Sequence, residues 1–170
     1  MMTRDGYRDV VIVFDVPGEA KGQGRPRATI RGGHASVYER AEDKSYKGLI
    51  QFYAMKAVEK LSERNGYRLS LPLEGDGQGF EVTILVHKTV PKSFSKKKRE
   101  EALSGVLSKG TLSPRTKPDL DNIGKIVLDA LNGVIWKDDS AVVSLLIRKL
   151  YSEKDFMNVC IECVEKVEKG

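Results

Sequence analysis

"KPDLDNIGKIVLDALNGVIWKDD", residues 117–139, places five aspartates in a chain whose formal net charge is +5. Pro118 disfavours helical dihedrals at Lys117, so the chain arrives extended and turns into a helix near Asp119. Leu120, Ile123, Val127, Ala130 and Leu131 recur with the spacing of one buried stripe, which predicts a helix over 120–132 closed by Asn132-Gly133. If Asp119 and Asp121 were both helical, their side chains would diverge by about 200°. With Asp119 extended or at the N-cap, the two carboxylates can converge, and Lys125 lies one turn beyond Asp121 on the same face. Asp138 and Asp139 come after the helix, on a loop or strand start able to fold back beside its N-terminus.

Like charges at short range repel, and each crowded carboxylate is destabilised unless a cation relieves it. Two readings follow. In the first the acids sit apart: Asp119 is a helix cap, Asp121, Lys125 and Asp129 form a surface ladder, and Asp138-Asp139 is a turn. In the second something positive sits among them. Oxygen-only ligands in a chain with two histidines imply a hard cation, Mg2+ or Mn2+, retaining several waters. Such ions serve phosphoryl transfer, and a lysine at the rim can neutralise charge growing on the phosphate.

Outward from this stretch, "VVIVFDV" (10–16) is a β-branched run ended by Pro17-Gly18 and reads as a strand. The basic, Gly-rich segment 18–36 reads as a loop or loose hairpin. Tyr46, Leu49, Ile50, Tyr53, Ala57 and Leu61 predict a helix over 42–64, closed by Asn65-Gly66. Residues 66–79 read as loop and 80–88 as a strand. Ser93 or Ser95 caps a short helix reaching about Gly105, with an exposed linker over 107–117. "AVVSLLIRKLYS" (141–152) and "FMNVCIECVE" (156–165) read as closing strands joined by a hairpin turn at 152–155. The order β, α, β, α, α, β, β lacks the regular alternation of a doubly wound sheet, so the expected class is α+β, in one domain over 1–170.

Charge is unevenly placed. Nine Lys or Arg between Lys88 and Lys117 face only Glu100 and Glu101, a local net of +7, directly before the acidic cluster. A second basic stretch, "KGQGRPRATIR" (21–31), contains no acid. Cations that hold phosphates beside carboxylates that hold a metal suit a nucleic-acid site. Lys21, Arg25 and Arg27 are the favoured backbone contacts, because Gly22 and Gly24 permit close approach, and Lys117 joins them. Composition is that of an ordinary globular protein, 40% hydrophobic and 31% charged. The opening MMTRDGYRDV lacks a signal peptide's apolar run, and no stretch reaches transmembrane length, so a cytoplasmic location is expected.

"KPDLDNIGKIVLDALNGVIWKDDSAVVSL" strongly resembles the signature of the RusA family of Holliday-junction resolvases. "KGQGRPR" after the first strand, the helix near 43–64 and the two closing strands also fit that family's layout. The resemblance implies a small mixed sheet with helices on one side, forming a homodimer that cuts four-way DNA junctions by paired symmetric nicks with Mg2+. It implies that Asp119, Asp121 and the DD position, Asp139 with Asp138 beside it, hold the metal. It also implies that Lys125 is the essential lysine.

Other chemistries find little support. Cys160 and Cys163, three apart on a strand, face opposite sides and cannot chelate one zinc ion. His34 and His87 belong to no triad pattern. "GEAKGQGR" lacks the Gly-Lys-Ser/Thr ending of a P-loop, so no nucleotide cofactor is expected. Trp136 reads as a partly buried core aromatic. Beside the nuclease reading stand a non-catalytic junction-binding protein and a small-substrate phosphohydrolase, the latter disfavoured by the basic flank.

Overall fold

The computed structural model describes residues 2–4, 6–104, 112–166 and 168–169. In chain order these form β1 (Met2–Arg4), β2 (Tyr7–Pro17), β3 (Arg27–Arg31), β4 (His34–Tyr38), α1 (Ala41–Asn65), β5 (Tyr67–Arg68), β6 (Phe80–Thr89), α2 (Lys96–Ala102), α3 (Leu120–Leu131), β7 (Val142–Ser152), β8 (Phe156–Lys166) and β9 (Glu168–Lys169).

Strict alternation in β2 buries Val10, Ile12, Phe14 and Val16 and exposes Val11, Val13 and Asp15. Strands β6 and β8 repeat the pattern with Phe80, Val82, Ile84 and Val86, and with Met157, Val159 and Ile161. These side chains line one face of a five-stranded sheet of order β1-β2-β8-β6-β7. The β6–β7 pair is parallel and the others antiparallel, which makes the sheet mixed. The buried face is covered by α1, through Tyr46, Ile50, Ala54 and Val58, and by α3, through Ile123, Ile126, Val127, Ala130 and Leu131. The α+β reading therefore holds. Gly66, at φ 64°, closes α1 by donating its N–H to the Ser62 carbonyl at 3.0 Å, as Asn65-Gly66 foretells.

The closing strands are not a hairpin. Between β7 and β8 lies β6, paired with both. The three-residue link steps over the end of β6, where Val90 N–H donates to Ser152 O (3.1 Å) and Thr89 N–H to the Asp155 carboxylate (2.7 Å). Two interstrand spacings amount to roughly 10 Å, within the reach of three extended residues, so a short link does not by itself specify neighbouring strands. Burial settles the order physically. Strand β6 buries a complete apolar face and takes an interior position, whereas no residue of β7 is fully buried and it forms the edge. Of the apolar residues on these two closing strands, Val159 and Ile161 face the core, while Val143 and Leu145 are exposed.

Smaller differences have local causes. The basic segment holds a true β3–β4 hairpin turning at Gly32-Gly33. Leu120, the first residue of α3, is exposed, and Ile126 belongs to the buried stripe. Trp136 is wholly buried, its ring 5.5 Å from that of Phe80. Ser95 caps α2 by accepting from Lys98 N–H, and the helix ends at Ala102, short of the expected reach, with Leu103 and Ser104 in a turn and bend; Gly105 and the start of the linker lie outside the described residues. Among the described residues no helix is long and apolar enough to cross a membrane.

The two thiols sit on opposite faces of β8, Cys163 buried and Cys160 half-buried, and both are free. Burial, with Glu165 nearby, pushes the Cys163 thiol up to about 12. Burial, with Glu162, raises Cys160 as well. Native protein at pH 8 is expected to react with a thiol reagent slowly at Cys160 and not at Cys163, both becoming reactive on unfolding. Mass-spectrometric mapping of the alkylated cysteines checks this, and equal native labelling would contradict the strand facing.

Candidate functional site

The segment leading into α3 is held to β6 and β7 by one lysine from each strand and bends at Lys117 and Pro118. From β6, Lys88 Nζ donates to Thr116 Oγ1 (3.2 Å) and to the Lys117 carbonyl (2.9 Å), and it pairs with Glu19 at 3.2 Å. From β7, Lys149 Nζ donates to the Thr116 carbonyl at 2.7 Å. Burial lowers the pKa of Lys149, while the negative charge of Asp119 opposes that shift. The chain then passes through the cis Lys117–Pro118 bond to Asp119 and into α3.

Asp119 occupies the N-cap position with extended dihedrals (φ −73°, ψ 149°), the backbone geometry that allows convergence with Asp121. Its carboxylate makes no capping hydrogen bond, so the cap reading of Asp119 does not hold. Asp121 and Lys125 are exposed, with Lys125 Nζ 3.5 Å from Asp121 Oδ2. At such exposure the pair adds little stability. Asp129 takes no part in a ladder, because it pairs with Lys47 of α1, which also binds Glu39.

Asp138 and Asp139 differ from one another. Asp138 caps the single 3-10 turn before β7, its Oδ1 accepting from Ser140 N–H at 2.8 Å. Hydrogen bonds from the Ser140 side chain and backbone hold its carboxyl below the ordinary aspartate range. Asp139, the next residue, is exposed and has no hydrogen bond or ion pair to its carboxylate among the described residues. Among the described residues Asp119 and Asp139 thus keep free carboxylates, Asp121 is paired only with Lys125, and Asp138 is structurally engaged. The expected return of Asp138-Asp139 to the N-terminus of α3 does not hold, because that end is held at Lys149, about 23 Å along β7 from Val142. Among the described residues no three Asp, Glu, His or Cys side chains are gathered closely enough to form a protein-only metal cage.

The basic loop docks directly on this helix. Gln23 N–H donates to the Asn122 carbonyl at 2.9 Å, and Gly24 N–H to the buried Asp43 carboxylate at 2.9 Å. A Cβ at Gly22 would lie 2.9 Å from the Cβ atoms of both Asn122 and Pro118, and one at Gly24 would overlap the Arg40 side chain. The space these glycines leave is therefore taken by protein, a correction to the expectation that it admits phosphate. Docking nonetheless brings Lys21 and Arg25 to the neighbourhood of α3's N-terminus. Lys21, Arg25, Arg27 and Lys117 are exposed, and none of their side chains forms an ion pair among the described residues.

The N-terminal end of α3 thus presents Asp119, without a capping hydrogen bond, and Asp121, beside Lys125, near cations that form no ion pair among the described residues. The chain matches the family model Endodeoxyribonuclease RusA over residues 17–162. It belongs to the RusA endodeoxyribonuclease family. The matched span contains the basic loop, all five aspartates of the opening stretch, Lys88 and Lys149. The chain is also 41% identical over 152 residues to "Uncharacterized protein YqaN" of Bacillus subtilis (strain 168), spanning 88% of this chain and 94% of that one.

Lys88, Lys149 and Asp43 escaped sequence reasoning. Lys149 alone left a trace, as a cation among the apolar residues of "AVVSLLIRKLYS". Gly22→Ala is expected to lower stability by about 1–3 kcal/mol, because both opposing atoms are Cβ atoms with little freedom to move. Urea unfolding measures this, and an unchanged midpoint would contradict the docking of the loop on α3.

Proposed function

We propose that this RusA-family protein is a Mg2+-dependent, structure-selective endonuclease that resolves four-way DNA junctions. The observation that carries the reading is the pair of exposed carboxylates at the N-terminus of α3, Asp119 without a capping hydrogen bond and Asp121 with only Lys125 at 3.5 Å, near cations that form no ion pair among the described residues. An all-oxygen donor set fits a hard divalent ion. Mg2+ in particular is usually held by one or two carboxylates, with water and substrate phosphate completing its shell, so a cage of three protein ligands is not required. When bound, such an ion acidifies water and neutralises charge on a phosphoryl oxygen.

Asp119 and Asp121 would hold the ion; Asp139, the expected third ligand, lies beyond the opposite end of β7 from Lys149 and does not join them within one chain, and Asp138 caps its own turn. Lys125, at the rim and 3.5 Å from Asp121, offsets negative charge that builds on the phosphate as water attacks in line and the backbone P–O bond breaks. Lys21, Arg25, Arg27 and Lys117 bind backbone phosphates, which gives affinity without sequence preference. Two copies related by a two-fold axis place two such sites on opposed strands, which allows paired symmetric nicks.

A synthetic four-way junction with Mg2+ is expected to yield paired nicks that EDTA abolishes. Asp121→Asn should retain junction binding and lose cleavage by orders of magnitude. Binding without nicks by the wild-type protein would instead mark a junction-binding protein, and neither binding nor nicks would remove DNA from the reading. Replacing Arg25 or Arg27 by Gln should weaken binding similarly across DNA sequences and reduce the log–log salt slope by about 1 for each phosphate that is no longer neutralised. An unchanged slope in both variants would take the loop out of the interface.

A further inference from the structure

The carbonyls of Thr116 and Lys117 belong to no strand or helix. Among the described residues their hydrogen-bond donors are two ammonium groups, one from each strand of the parallel β6–β7 pair. Lys149 binds the Thr116 carbonyl, and Lys88 binds the Lys117 carbonyl and the Thr116 hydroxyl. Both contacts fall within three residues of Asp119. Lys149 lies toward the far end of β7, about 23 Å along the strand from Val142, so its contact bears on Asp119 and not on the Asp138-Asp139 turn. The segment carrying Asp119 is therefore tied to β7 by one lysine and to β6 by another. We infer that Lys88 and Lys149 are positioning residues that fix the Asp119 carboxylate beside Asp121 at the entrance to α3, and hence set the affinity of that end of the helix for a divalent ion. This rests on the nuclease reading for its biological meaning, but its geometry can be tested apart from cleavage.

Three features support a positioning role over direct phosphate contact. Both lysines are less exposed than the rim cations, and their ammonium groups are already occupied by backbone or hydroxyl oxygens. Lys88 is further neutralised by Glu19 at 3.2 Å. The charge of Asp119 acts on Lys149, so removal of this cation alters the electrostatic surroundings of the carboxylate as well as its support.

The experiment compares full-length wild type with Lys149→Met, Lys88→Met, Lys149→Arg and a surface control, Lys44→Met. Mn2+ binding is followed by water-proton relaxation, amide hydrogen exchange by mass spectrometry over 112–122, and junction affinity and nicking by gel. Lys149→Met is expected to weaken Mn2+ binding by about 10-fold or more, as loss of an outer support does at other metal sites. It should also speed exchange over 112–122 while leaving β2 and α1 unchanged. Lys88→Met should act in the same direction, Lys149→Arg should restore much of the loss, and Lys44→Met should match wild type. Unchanged Mn2+ affinity and exchange in both Met variants would overturn the inference. Weakened junction binding with a smaller salt slope and unaltered Mn2+ affinity would overturn it too, by making these lysines phosphate contacts. If wild type fails to nick junctions yet the variants lose Mn2+ affinity, the nuclease reading falls and the positioning role stands. If wild type binds no Mn2+, exchange over 112–122 decides alone, and unchanged exchange refutes the inference.

Discussion

Close approach of α3 to its neighbours is the constraint on which the rest of the structure depends. On one side the helix lies so near β7 that a Cβ at Gly124 would fall 2.8 Å from Ile147 Cδ1. On the other, Gly22 lets the basic loop touch Pro118 and Asn122. Ile123, Ile126, Val127, Ala130 and Leu131 anchor the intervening face, each wholly buried. Gln51 of α1 donates to the Ala130 carbonyl at 2.8 Å, fixing the far end of the helix. With its body immobilised, the helix presents Asp119, Asp121 and Lys125 from its exposed end. The geometry of that end thus rests on glycines and apolar residues that lie away from it.

The core elements were legible because local pattern and final burial agree. Alternation in β2, β6 and β8 announces strands with one buried face, and the helical period of 42–64 announces α1 almost to the residue. Strand order was not legible. Three residues join β7 to β8, and sequence distance favours a hairpin; only the competition between strands for the sheet interior places β6 between them. That competition is a property of the whole sheet, and no window of sequence contains it. Leu120 failed for a related reason. Periodicity assigns a helix face, but it does not tell at which residue packing on that face begins.

The candidate site divides along the same line. Pro118 marks the entrance to α3, where Asp119 is extended although the chain bends at Lys117 and Pro118, and the spacing of Asp121 and Lys125 correctly places them on one face. The opposite facing of Cys160 and Cys163 also follows from local period alone. Lys88, Lys149 and Asp43 were hidden because each acts across a long sequence separation, on a backbone group that has no sequence signature. The reach of the Gly-rich loop was misjudged for the same reason. Glycine announces close approach without naming what approaches.

Adjacent acids show most plainly how position and role come apart. Asp119 and Asp138 both stand at cap positions with extended dihedrals, and chemically they are the same residue. Asp138 takes the local hydrogen bond, and its carboxyl is held in the charged form by Ser140. Asp119 does not, although a capping aspartate commonly contributes about 0.5–2 kcal/mol to helix stability. Its backbone is held instead from behind, at Thr116 and Lys117, by lysines of two strands. An entrance secured through its carbonyls needs no side-chain cap, which leaves the carboxylate unsatisfied by protein and directed to other use. A carboxylate with no protein donor, next to a second on Asp121 and near a lysine charge, retains its full capacity to accept. Stability forgone at a cap is a common property of residues kept for ligands, and here it separates the aspartate that builds the turn from the one that remains open.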